Sequence, residues 1–175
     1  MNGRVSRKTL RLQNFDYSSN GLYFITICTY GKENYSGKII NGTMHLSLCG
    51  KIAEEEIHYV NLKRKDQFIE INKFVIMPNH IHLIIRIFNP DLFHQYQKEG
   101  FSKPTSKSVS SVIRSYKSAV SKRIHEISNE NNLPYRIWQA RYFDNIIRNE
   151  KAYLKIWEYI DTNTLRWEKD RFYKL

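Results

Sequence analysis

Two histidines separated by one residue, His80 and His82, stand at the start of a predicted strand. Alternate side chains of a strand point to the same face, so these imidazoles project together, about 7 Å apart at the backbone, and could bind one metal ion. Ile81, Leu83 and Ile85 then point to the opposite face, toward a core. A surface pair without a ligand is the alternative, because so short a motif is weak evidence alone.

Tyr159 and Asn163 lie one turn apart in a helix predicted over 150–163. Four residues at about 100° each bring Asn163 back to within about 40° of Tyr159. Both lie on the flank of an apolar stripe, which consists of Tyr153, Ile156, Trp157 and Ile160. A phenol and an amide there could share a site. The alternative is a tyrosine at the edge of the core, a common place for this amphipathic ring.

The elements that must position these groups follow a recognisable order. Hydrophobic periodicity and turn signals predict, in sequence, a strand over 21–30, a hairpin over 38–46, a helix over 51–63, a hairpin over 68–88, a helix over 109–127, a β-prone segment over 135–147 and the helix over 150–163. This is the βαββαβ plan of the ferredoxin-like (RRM-like) α+β sandwich, with an added β-hairpin and a C-terminal helix that carries Tyr159. We expect a basic arm over 1–20 and one domain over 21–175.

Charge points to a polyanionic partner. The 175-residue chain has 28 Lys and Arg against 17 Asp and Glu, a net charge of +11. Such an excess favours nucleic acid. Two clusters are candidates for phosphate binding, one in the arm and one on the outer face of the helix over 109–127: Arg4, Arg7, Lys8 and Arg11, and Arg114, Lys117, Lys122 and Arg123. A solvated charged face is the alternative for each cluster.

Composition excludes several classes of protein. With 41% hydrophobic residues the chain can form a core, so wholesale disorder is excluded. No apolar run approaches the ~20 residues of a membrane span, and the N-terminus lacks the apolar region of a signal peptide. Two cysteines, Cys28 and Cys49, are too few for a disulfide scaffold, which favours the cytoplasm. We find no Gly-rich phosphate loop and expect no nucleotide cofactor.

Several ordered segments together resemble a known family, and they span nearly the whole chain. They are FDY (15–17), GLYFITICT (21–29), FVIMPNHIH (74–82), IRSYKS (113–118), WQARYFDNIIRN (138–149) and YIDTN (159–163). In this combination they resemble the single-tyrosine HUH transposases of the insertion-sequence-200 type, specifically the REP-associated tyrosine transposases. The HUH segment together with the WQ-to-IIRN block makes the resemblance specific.

The resemblance implies a mechanism and a substrate. It implies that His80, His82 and Asn163 bind a divalent metal, Mg²⁺ or Mn²⁺, and that Tyr159 is the nucleophile. It further implies cleavage and rejoining of single-stranded DNA that contains a hairpin, through a 5′-phosphotyrosine bond and a free 3′-hydroxyl. The covalent bond conserves the cleaved linkage, so rejoining needs no ATP. Relatives act as homodimers or as monomers, and either state is compatible with this sequence.

The sequence departs from the family pattern at two positions, and two alternative functions remain open. Thr164 follows Asn163 where related proteins commonly have proline, and Asn145 stands where they commonly have histidine. These changes leave room for a weakened or repurposed enzyme. The alternatives are another HUH nickase, of the replication-initiator or relaxase type, and a non-catalytic ferredoxin-like module that binds nucleic acid. Covalent capture of an oligonucleotide separates an enzyme from such a module.

Overall fold

The computed structural model describes residues 17–90, 107–128 and 133–173. Its regular elements, in chain order, are β1 Gly21–Cys28, β2 Gly37–Ile40, β3 Thr43–Leu46, α1 Leu48–Arg64, β4 Ile69–Met77, β5 His80–Ile87, α2 Val109–Glu126, β6 Phe143–Ile147 and α3 Glu150–Thr162. A 3-10 helix, Thr164–Lys169, follows α3. No helix among these residues is long and apolar enough to cross a bilayer.

The main sheet has four antiparallel strands in the order β4-β5-β1-β6. With α1 joining β1 to β4, and α2 joining β5 to β6, this is the ferredoxin-like arrangement, so the predicted fold class is confirmed. β2 and β3 form the added hairpin as a separate two-stranded sheet. Its turn residues Asn41 and Gly42 both have positive φ, 50° and 74°, as expected of an Asn-Gly hairpin turn.

Helices cover both faces of the main sheet, and this decides which face carries the histidines. Ile81, Leu83 and Ile85 of β5 pack in the large core with α1 and α2. Ile84 belongs instead to a smaller cluster with Ile147 and Ile160, beneath α3. Because strand residues alternate between faces, His80 and His82 share the face of Ile84 and therefore face α3.

The segment 135–142 differs from its predicted β structure. Only one bridge, Thr29 to Trp138, links it to the sheet, and regular pairing begins at Phe143. The Nζ of Lys117 donates to the carbonyl oxygens of Gln139, at 2.5 Å, and Ala140, at 3.3 Å. A lysine of α2 thus satisfies carbonyls that a strand would have paired in a ladder, which tertiary contacts can do to an aromatic, β-prone sequence.

Residues 17–20, which the sequence assigned to the arm, pack on the domain. Tyr17 is buried, and its hydroxyl donates to Asp144. The side-chain amide of Asn20 donates to the carbonyl of Asn89. The folded unit therefore extends to at least Tyr17, and the remainder of the predicted arm lies outside the described residues.

Candidate active site

His80 and His82 converge as their spacing predicted. They face Cys28 and Thr26 of the central strand β1, and both are almost wholly buried, with 0% and 1% of their surfaces exposed. Their Nε2 atoms lie 3.1 Å apart. Phe24, also on β1, stacks on the ring of His82 at 5.1 Å between centroids. Strand pairing and packing therefore fix both imidazoles on one face.

The orientation of His80 follows from its neighbour Asn79. The amide nitrogen of Asn79 donates to the carbonyl oxygens of Phe172, at 2.8 Å, and Lys32, at 3.2 Å. The amide oxygen must then face the ring of His80, 2.9 Å from Nδ1, and accept its proton. Since Nδ1 carries the hydrogen, Nε2 of His80 presents a lone pair toward His82.

Thr26 is the hydrogen-bond partner of His82 on β1. Its hydroxyl lies 2.9 Å from Nδ1 of His82, deep in the sheet. A hydroxyl can donate or accept, so it supports either tautomer of the ring. When Thr26 accepts from Nδ1, the Nε2 atoms of both histidines present lone pairs to one point, as metal ligands do.

Both imidazoles are neutral at pH 7. Burial, followed by the nearby charges of Arg171 and Lys32, lowers the pKa of His80 to about 3. Burial also moves the pKa of His82 well below its usual value, with His80 adding to the effect. Neutral imidazole is the form that binds metal ions, so the environment favours the ligand form of both rings.

Tyr159 reaches this site from α3. Its hydroxyl lies 3.1 Å from Nε2 of His82 and donates to Oδ2 of Asp170 at 3.0 Å. Burial, followed by the charge of Asp170 and the hydrogen bond to it, raises the pKa of Tyr159 to about 12. The phenol is therefore protonated at neutral pH, and a nucleophilic role requires that its proton be removed as it reacts.

Asn163 lies at the end of the same helix and is 1% exposed. Its amide nitrogen donates to Oδ2 of Asp170 at 3.3 Å. Its Oδ1 is buried and has no hydrogen-bond partner among the described residues. Buried polar atoms are rarely left unpaired, so a carbonyl oxygen without a partner, on a side chain bonded to the carboxylate of Asp170, fits a metal ligand. Thr164 begins a 3-10 helix without disturbing this position.

Asp170 is a functional candidate that the sequence analysis missed. The ligand atoms of His80, His82 and Asp170 lie within 4.8 Å of one another. The carboxylate follows the 3-10 helix after α3, and neither a motif nor a spacing in the sequence distinguishes it from other acidic residues. Two imidazoles, an amide oxygen and a carboxylate form a donor set that suits Mn²⁺ and tolerates Mg²⁺.

The segment that carries Asp170 also covers the site. The ring of Phe172 lies 4.6 Å from that of His80 and 6.4 Å from that of His82, centroid to centroid. Arg171 and Lys32 lie over the outer side of Phe172, at 4.5 Å and 5.1 Å from its centroid. Both histidines are almost wholly buried, and this segment contributes to that burial.

Asn145, the second departure from the family pattern, lies on the same sheet face. It is opposite Phe24 in the pairing of β1 with β6, and its side chain is exposed. Phe24 in turn contacts both His82 and Tyr159. An ionisable histidine at this position would lie near the site, and here an uncharged amide takes its place.

The predicted phosphate-binding residues have varied environments. Arg114 and Lys122 are exposed on α2. Arg123 is paired with Glu55 and Glu56 of α1, so its charge is already matched within the protein. The amine of Lys117 is occupied by two backbone carbonyls, and burial lowers its pKa to about 8. The cluster in the arm lies outside the described residues: Arg4, Arg7, Lys8 and Arg11.

We expect Thr26→Val to weaken Mn²⁺ binding by about 10-fold, the usual effect of losing a hydrogen bond behind a metal ligand. Valine has nearly the same shape but cannot accept from Nδ1 of His82. Thr26→Ser is the matched control, because it keeps the hydroxyl. Calorimetric titration with Mn²⁺ measures the effect, and equal affinities of the two variants would contradict this role of Thr26.

Comparisons with known proteins place the chain in a family. No protein-family model matches it. An uncharacterized protein of Haemophilus influenzae (strain ATCC 51907 / DSM 11121 / KW20 / Rd) is 36% identical over 173 residues, which cover 95% of this chain and 93% of that protein. This chain belongs to the same family as that protein. The name of the relative gives no activity, so the site must supply the chemistry.

Solved structures show the fold of this family. The structure of a REP-associated tyrosine transposase bound to a REP hairpin matches 89% of this chain and 73% of that one, with a TM-score of 0.60 and 21% identity. The family member described here thus has the fold of a REP-associated tyrosine transposase, as the resemblance predicted. A putative transposase from Deinococcus radiodurans R1 is a looser likeness, with a TM-score of 0.46 and 13% identity over 86% of this chain and 95% of that one.

Proposed function

We propose that the protein is a metal-dependent, single-tyrosine DNA strand transferase of the HUH type. The observation that carries the proposal is one buried site in which His80, His82, Asn163 and Tyr159 meet. These residues come from two distant parts of the chain, yet each presents the group that the chemistry requires: two neutral imidazoles, a free amide oxygen and a phenol. The transposase fold supports the same conclusion.

The protein groups that would hold the metal ion are the imidazoles of His80 and His82, the amide oxygen of Asn163 and the carboxylate of Asp170. Bound there, Mg²⁺ or Mn²⁺ would polarise a phosphodiester and neutralise charge that develops on it. Thr26 and Asn79 fix the directions of the two rings through their Nδ1 atoms. The neighbouring cations Lys32 and Arg171 favour the approach of a phosphate.

Tyr159 performs the covalent step. Its Oη attacks phosphorus, a bond forms between them, and the bond from phosphorus to the preceding 3′ oxygen breaks. Asp170, which already accepts the phenol hydrogen bond, takes the phenol proton. The leaving 3′ oxygen takes a proton from solvent and ends as a hydroxyl, and Asp170 then returns its proton to solvent. The 5′-phosphotyrosine retains the energy of the phosphodiester, so attack by a 3′-hydroxyl rejoins a strand without ATP.

The proposed substrate is single-stranded DNA with a hairpin. A tyrosine between α3 and the sheet can reach a phosphate of an unpaired strand more readily than a phosphate in a duplex. The neighbouring transposase structure was solved with a REP hairpin, which supports a similar ligand here. We propose that the arm over 1–20 and the exposed face of α2 bind phosphates, and that the domain works as a monomer or homodimer on DNA in the cytoplasm.

Covalent capture tests this function. The protein is incubated with a hairpin oligonucleotide with single-stranded flanks, in Mn²⁺ or Mg²⁺, and separated on a denaturing gel. We expect a labelled band at the mass of protein plus DNA fragment, absent when a chelator replaces the metal. A protein that binds the hairpin but yields neither adduct nor cleavage in either metal would be a non-catalytic nucleic-acid-binding module.

A further inference from the structure

We propose that a cleft between α2 and the segment 138–142 binds one unpaired nucleotide of the DNA substrate, next to the phosphate that is cleaved. This inference rests on the proposed function and extends it to substrate specificity. The cleft encloses about 510 Å³, within the usual range for small-molecule sites. It is separate from the histidine site, which lies on the α3 face of the sheet.

The chemistry of the cleft walls fits a nucleotide. Tyr142 is partly exposed and supplies the aromatic surface, and the largely buried side chains of Trp138 and Ile113 form the apolar floor. Proteins hold unpaired bases by stacking them on aromatic rings. The guanidinium of Arg114 stands at the same cleft, where it can bind a phosphate. The hydroxyl and amide groups along the walls can read the edge of a base: Ser110, Ser118, Ser121 and Gln139.

Two buried donors in this wall have no partner. Nε1 of Trp138 and the hydroxyl oxygen of Ser110 are each buried without a hydrogen bond to the described residues. Trp138 as a whole is only 7% exposed and packs on Tyr116. Buried indole and hydroxyl groups are normally satisfied, and the indole N–H can only donate, so Trp138 in particular calls for an acceptor. Base carbonyls, ring nitrogens and phosphate oxygens are acceptors of this kind.

The two cationic residues that line the cleft, Lys117 and Arg114, have different roles. The amine of Lys117 donates to the carbonyls of Gln139 and Ala140, so it holds the 138–142 segment against α2. Arg114 is exposed and has no ion pair or hydrogen bond with the described residues. Arg114 is therefore the cation available to a phosphate, and Lys117 is the residue that keeps the cleft in shape.

The cleft adjoins the catalytic end of the sheet. The backbone N–H of Gln139 donates to the carbonyl of Cys28, and Cys28 is the strand partner of His80. Gln139 thus joins the wall of the cleft to the strand position beside His80, and this connection leads us to place the bound base next to the phosphate at the histidines.

Abasic substitution tests the proposal. Hairpin oligonucleotides carry an abasic site at each flanking position in turn, and fluorescence anisotropy in chelator measures their affinity for the full chain. We expect one position near the cleavage point at which loss of the base weakens binding by about 10-fold, as stacked bases usually do. Equal affinities at every position would overturn the proposal.

A protein variant with a blocked cleft complements the abasic oligonucleotides. Ser118 is exposed at the cleft, and Ser118→Trp fills it without removing a charge. This variant should bind the intact oligonucleotide as weakly as the wild-type protein binds the abasic oligonucleotide. Removing the base should then weaken binding by the variant no further. Arg114→Gln should weaken the intact complex about 5-fold, while Lys51→Gln, an exposed charge on α1, should leave it unchanged.

The two levels of inference fail separately. Binding in chelator needs no metal and no cleavage, whereas the proposed function is read from the adduct. If the protein forms the adduct but binds all abasic oligonucleotides equally well, the nucleotide site is wrong and the proposed function stands. Base discrimination that Ser118→Trp removes, in a protein that never forms an adduct, supports the site and overturns the enzyme. If Ser118→Trp melts at the wild-type temperature and its affinity no longer depends on the abasic substitution, the result supports the assignment of the base to this cleft.

Discussion

Tyr159→Phe is expected to abolish the covalent protein–DNA adduct and to leave hairpin binding nearly intact. The substitution removes the one atom that attacks phosphorus and keeps the ring that contacts Phe24 and His82. The lost hydrogen bond to Asp170 is half-buried and should cost on the order of 1 kcal/mol of folding stability. Denaturing gels measure the adduct, and anisotropy in chelator measures binding.

Tyr153→Phe is the control for this prediction. Tyr153 lies on the same helix but packs beside Trp157 and Ile147, and it does not reach the histidines. This variant should form the adduct at close to the wild-type level. If Tyr159→Phe still forms an adduct and mass spectrometry finds the phosphate on another tyrosine, the nucleophile has been assigned wrongly even though the chemistry is correct.

The convergence of the two histidines could be predicted from sequence because it depends on local geometry. Strand alternation places His80 and His82 on one face whatever the rest of the fold. Helical periodicity does the same for Tyr159 and Asn163. Only the resemblance to a family joined the two pairs, since no periodicity says that α3 crosses the face on which the histidines lie.

Asp170 could not be predicted because nothing local determines its place. It reaches the site through the path of the 3-10 helix after α3, and the hydrogen bond of Asn79 to the carbonyl of Phe172 fixes that path. The β-prone segment predicted over 135–147 forms a regular strand only from Phe143 for a related reason, since the amine of Lys117 binds the carbonyls of Gln139 and Ala140 before it. In both cases a side chain distant in sequence determines the backbone.

His80→Ala should remove most of the stabilisation of the protein by Mn²⁺. An ion at 100 times its dissociation constant stabilises the folded state by about 2.7 kcal/mol, which should raise the melting temperature of wild type by roughly 5–10 °C. Without the imidazole at 3.1 Å from His82, the remaining groups should bind Mn²⁺ at least about 100-fold more weakly, so at the same concentration the stabilisation falls to about 0.4 kcal/mol or less, a shift of roughly 1–2 °C at most. Differential scanning calorimetry with and without the metal measures both.

The control is His45→Ala, which removes an exposed imidazole on β3, away from the sheet face of the site. It should keep the full Mn²⁺ shift, and it should keep the adduct. Because the shift compares each variant with itself, a lower melting temperature of metal-free His80→Ala does not affect the comparison. A wild-type shift that His80→Ala retains would mean that the ion binds elsewhere, and the histidines would then have to act on the phosphate as neutral hydrogen-bonding groups alone.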